Sequence, residues 1–83
     1  MPTVSVEIPV SDFWPTLEEL AARDRVIASL DALCVGSLIG CGAGRGAVDF
    51  SYRVTDALRA TELVRRAVLD HFPTAQPRIH PIE

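Results

Sequence analysis

The stretch GCGAGRGAVDFSYRVTD, residues 40–56, decides the fold. From Val48 to Val54 the residues alternate strictly, with Val48, Phe50, Tyr52 and Val54 on one side and Asp49, Ser51 and Arg53 on the other. A period of two is the mark of a strand with one buried face. Just before it, Gly40, Gly42, Gly44 and Gly46 fall at every second position, and a run so rich in glycine cannot hold a helix. It fits a hairpin tip and the strand flanks running into it. Cys34 to Gly42 is the other arm, short, apolar and bounded by glycines, with Val35, Leu38 and Ile39 favouring a strand.

The same alternation appears upstream, where Val4, Val6, Ile8 and Val10 oppose Thr3, Ser5, Glu7 and Pro9. Pro9 has no amide to give to a ladder, so it belongs near the strand's end or at a bulge. Between this strand and the hairpin, Thr16 and Glu19 form a capping box. Leu17, Leu20, Ile27 and Leu30 then recur at helical spacing, which predicts a helix over Thr16 to Leu33 with Glu18, Glu19, Arg23, Arg25 and Ser29 on its polar face. After the hairpin, Thr55 or Asp56 can cap a second helix. Its apolar face is Ala57, Ala60, Thr61, Val64, Ala67, Val68 and Phe72, and Pro73 ends it. The tail carries Pro77 and Pro81, so a strand there must lie at an edge.

Composition bounds the rest. Eighty-three residues make a single domain, 1–83. The formal net charge is −3, and all eight basic residues are arginine. An acidic chain is a poor binder of nucleic acid, whose affinity rests on many Lys or Arg contacts to phosphate. The longest charge-free stretch, Ala32 to Gly44, is interrupted by glycines and is shorter than the roughly 20 apolar residues of a membrane span. The N-terminus shows no signal-like segment, and a cytoplasmic location is the expectation. Cys34 and Cys41 show no CxxC pattern and read as free thiols. With His71 and His80 they form no recognisable metal pattern, and no metal or cofactor is expected.

Gly42 to Ala47 formally matches GxGxxA, yet that fingerprint must open a helix, and here it leads into a strand. Cys41 has Arg45 nearby but no histidine close in sequence, so it reads as a small residue in a tight strand. Cys34 reads as core at the helix-to-strand junction, His71 as a cation at a helix C-terminus, and His80 as exposed. No catalytic residue is assigned. Trp14, just before Pro15, either staples the first helix to the core or stands exposed as a partner hot spot. The uncovered sheet face should carry Ser5, Glu7, Asp49, Ser51 and Arg53, without the exposed aromatics an RNA-binding sheet uses.

The resulting order, β-α-β-β-α-β, resembles ferredoxin-like (split βαβ) domains: an α+β sandwich with a four-stranded antiparallel sheet and both helices on one face. That resemblance implies a strand order 4-1-3-2, with the proline-bearing fourth strand and the glycine-bearing second strand at the edges. The run GCGAGRGAVDFSYRVTD is also similar to small bacterial proteins of uncharacterised families. Metallochaperones and iron–sulfur ferredoxins carry CxxC spacings, and acylphosphatases use an asparagine; this chain has neither, so none of those activities carries over.

The second strand then supplies the functional expectation. As an edge it bears Val35, Leu38 and Ile39 on both faces with no Lys, Glu or Pro to discourage pairing. The expected function is a non-enzymatic protein–protein interaction module, of immunity or adaptor type, docking another protein or a second copy as a homodimer. Trp14, Leu38, Ile39 and Arg45 would touch the partner, with Glu18, Glu19, Asp24 and Asp31 steering a basic one. Two other readings stay open. One is an ACT-like regulatory domain holding a small ligand at Gly42, Gly44 and Arg45. The other is a dimeric α+β barrel enzyme, which needs a more apolar open face than this sequence offers.

Overall fold

The computed structural model describes residues 2–82. Along the chain follow β1 (Thr3–Pro9), α1 (Leu17–Ala32), β2 (Gly36–Gly44), β3 (Ala47–Val54), α2 (Ala57–His71) and β4 (Arg78–Ile82). The strands form one antiparallel sheet in the order β2-β3-β1-β4, an α+β architecture with β2 and β4 at its edges.

Local chemistry sets each boundary. Thr16 Oγ1 accepts from the Glu19 amide (3.1 Å) while Glu19 Oε1 accepts from the Thr16 amide (2.8 Å), closing the capping box that starts α1. At its other end the Val35 amide donates to the Leu30 carbonyl (3.2 Å) and the Cys34 amide to that of Asp31 (3.1 Å). This is the Schellman pattern, which needs a left-handed residue between the two donors' helix and the chain beyond it. Cys34 takes that role at φ 53 and is therefore exposed, not core as its place in the sequence suggests. Val35, the next residue, is the one that turns inward, and β2 starts and ends two residues later than the hydrophobic run implies. In α2, Asp56 accepts from the Arg59 amide (3.1 Å). The hairpin closes on Arg45 and Gly46, with φ of 55 and 78, the positive pair required by a two-residue type I′ turn.

Register carries the alternation into the core. Val4, Val6 and Ile8 of β1 lie opposite Tyr52, Phe50 and Val48 of β3, and all six are buried. Val26 and Leu30 of α1 and Ala60, Val64, Ala67 and Val68 of α2 close over that face, so both helices pack on the same side of the sheet. Burial of each larger apolar side chain contributes about 1.5–3 kcal/mol. Leu17 does not share in it and is 85% exposed. Nine residues, or about two and a half turns, separate it from Val26, which puts it on the opposite side of α1. Pro9 and Pro81 sit where a missing donor costs least, at the end of β1 and on the edge strand β4. Among the described residues, no helix is long and apolar enough to cross a membrane.

Candidate functional site

The helix layer covers β2 only in part. On β1 and β3 the helix-side residues are fully covered, whereas on β2 the corresponding Leu38, Cys41 and Ala43, opposite Tyr52, Phe50 and Val48, are all exposed. Leu38 is 41% and Ile39 48% exposed. A bulge between Leu38 and Gly40 leaves Ile39 without a register partner on β3. The strand carries no charged residue from Gly36 to Gly44. Its main tie to the helices is Arg23, whose Nη1 donates to the Gly42 carbonyl (2.9 Å) and whose side chain is only 13% exposed. Sequence alone places Arg23 on the polar face of α1; its reach across to the outermost strand draws it in.

The hairpin end of β2 is braced by the segment before α1. The Gly46 amide donates to the Phe13 carbonyl (2.8 Å) and the Val10 amide to that of Gly46 (2.8 Å). Phe13 and Trp14 stand edge to face, centroids 5.1 Å apart. Trp14 does not staple α1 to the core: it is 67% exposed, and its ring lies over Gly44, where a Cβ would come within 3.0 Å of Cζ3. The space above Gly42 faces the Asp49 carboxylate at 3.3 Å, a poor neighbour for an anionic ligand. Arg45 occupies the exposed tip of the turn.

The acidic residues of α1 are divided between tasks. Glu19 serves the cap, Asp24 pairs with Arg23 (3.1 Å), and Asp31 Oδ1 accepts from the Tyr52 hydroxyl (2.8 Å). Burial, then the hydrogen bond to Asp31 and its charge, push the Tyr52 phenol above its usual range. Glu18 and Glu19 also border a shallow groove with Ala22, Arg25, His71 and Phe72. At the opposite end of α1, Cys34 lines a recess of about 30 Å³ with Val35, Thr55, Asp56, Arg59, Ala60 and Leu63, room for about one water.

On the uncovered sheet face, Glu7 lies opposite Asp49, Ser5 opposite Ser51 and Thr3 opposite Arg53. The Ser51 hydroxyl meets that of Ser5 at 3.3 Å. Strand β4 adds Arg78, which donates to Glu7 (3.0 Å), and His80, opposite Ser5. This surface is polar, built of hydroxyl, carboxylate, guanidinium and imidazole side chains. Arg78 and His80 escape a reading of the sequence because a tail with two prolines shows no period; only pairing with β1 aligns them. Compared with known proteins, the chain matches no family model, no curated protein and no solved structure.

Proposed function

We propose that this chain is a non-enzymatic protein-interaction module of ferredoxin-like topology that takes a partner strand along β2, in the manner of an adaptor or immunity protein. The sheet order read from its other edge, β4-β1-β3-β2, supports the topology. The observation that carries the function is the flank of β2: an uncharged edge strand whose helix-side residues Leu38, Cys41 and Ala43 are exposed. Strand addition to such an edge supplies main-chain hydrogen bonds, and an apolar flank beside it supplies the area that makes them specific. Phe13 and Trp14, fixed to the same end of the hairpin, extend that surface with rigid aromatics that lose little entropy on contact.

The test is capture of the stoichiometric partner from host lysate by the wild-type chain and by the double variant Leu38→Lys/Ile39→Lys, with circular dichroism verifying the fold of both. Two lysines on the edge block strand pairing by desolvation, so the partner band should vanish from the variant. Equal capture by both proteins rules out β2 as the docking edge.

A further inference from the structure

Two charges of opposite sign border the groove between the start of α1 and the end of α2. Glu18, Ala22 and Arg25 follow at i, i+4 and i+7, which sets them along one face of α1. They line the groove with Glu19, His71 and Phe72. Side chains on a helix pair at three or four residues. At those distances Glu18 has only Trp14, Pro15, Ala21 and Ala22, and Arg25 only Ala21, Ala22, Ala28 and Ser29. Among the described residues, the salt bridges join other groups, Arg23 to Asp24 and Arg78 to Glu7. Glu19 already accepts from the Thr16 amide (2.8 Å). The carboxylate of Glu18 and the guanidinium of Arg25 are thus both left to the groove.

Between the two charges the lining is apolar: Ala22 is buried and Phe72 half-buried. We infer that the groove binds a small ω-amino acid, with its ammonium on Glu18, its carboxylate on Arg25 and its methylenes over Ala22 and Phe72. A guanidinium fork suits a planar carboxylate, and an ammonium is a compact point charge that a single carboxylate can hold. An anion alone would be repelled by Glu18, and a cation alone by Arg25. Length follows from the helix, because about 10.5 Å of axis separates Glu18 from Arg25. Two charge-assisted contacts of about 2.7–2.9 Å each take up half of it, which leaves about 5 Å between the ligand's charged ends, the span of 4-aminobutanoate. The groove holds about 240 Å³, below the roughly 300–1,000 Å³ of pockets for drug-sized molecules, and its ligand is correspondingly small. This site does not depend on docking at β2.

The experiment is a titration of the nitrogen-15-labelled chain with 4-aminobutanoate, followed by amide chemical shifts. Saturable shifts should appear at concentrations on the order of millimolar and gather at Glu18 to Arg25 and at His71 and Phe72. Butylamine and butanoate, which carry one charge each, and glycine, which is too short to reach both, should bind about two- to fivefold more weakly. Glu18→Gln and Arg25→Gln should each lower the affinity for 4-aminobutanoate by the same factor of about two to five. Both residues are exposed, so the variants keep the fold, which their amide spectra verify directly. Glu62→Gln, an exposed acid of α2 outside the groove, should leave the affinity unchanged. Shifts that never saturate or that gather elsewhere overturn the inference. So does equal binding of butylamine, butanoate or glycine, or an affinity that Glu18→Gln and Arg25→Gln leave intact.

Discussion

Replacing Gly44 with alanine tests whether the glycines of β2 are there for backbone reasons or only for want of a side chain. Gly44 has φ 131 and the Trp14 ring over it, 3.0 Å from where a Cβ would stand. A non-glycine residue in such a sparsely populated backbone region costs on the order of 1–3 kcal/mol, and the Trp14 ring must lift as well. We expect a loss of about 2 kcal/mol, which in a domain of this size lowers Tm by roughly 8–16 °C. Gly40→Ala is the control: open space surrounds its Cβ and its φ is ordinary, so a gain of about 0.4–1 kcal/mol follows from the stiffer unfolded chain. Urea denaturation of dilute protein reads both. Trp14 is the sole tryptophan, so its emission separately reports the lifted ring in the folded Gly44→Ala chain. Equal stabilities for the two variants, or an unshifted emission in Gly44→Ala, would refute the account of Trp14 seated on a strained glycine.

Two further outcomes follow from the same geometry. Arg45→Asn should stabilise the fold by about 0.5–1 kcal/mol in thermal melts, because Asn tolerates the positive φ of the turn better than Arg and Asn-Gly is a preferred type I′ pair. Tyr52→Phe removes the hydroxyl that donates to Asp31 and should cost about 1–2 kcal/mol, measured by urea denaturation near neutral pH. The folded phenol titrates above its unfolded value of about 10. Its contribution is therefore whole below that pH and is lost as pH rises toward the folded pKa, while the unfolded chain ionises freely. Wild-type stability should fall in that alkaline window more steeply than that of Tyr52→Phe, and parallel curves would contradict the burial of the phenol.

Periodicity made the sheet and helices readable in advance, since Val4 to Ile8 and Val48 to Val54 commit one face each and the capping residues Thr16 and Asp56 mark where helices begin. What escaped was decided by contacts between distant segments. Cys34 looks apolar and core-bound, but the Schellman turn after α1 needs a left-handed residue at that place and turns it out to solvent. Trp14 could be read either as a staple for α1 or as exposed, and it is exposed because the glycine strand offers it a flat seat that no local pattern announces. Arg23 looks solvated among the polar residues of α1, whose apolar stripe Asp24 and Asp31 narrow, and only the position of β2 turns it toward a carbonyl. For the candidate site, the exposure of Leu38 and Ile39 was legible once β2 was placed at an edge. The exposure of Cys41 and Ala43 depends on how far α1 spreads across the sheet, which spacing does not encode.

The two rims of the sheet are unlike. Along β4 the backbone is short and is interrupted by Pro81, which has no amide to offer an incoming strand, whereas β2 runs nine residues without proline or charge. A sheet with one receptive rim can be extended once and then presents only blunt ends. Two such sheets joined rim to rim form a closed, finite object with no growing end, and that asymmetry separates a defined assembly from the open-ended stacking by which exposed strands build fibres.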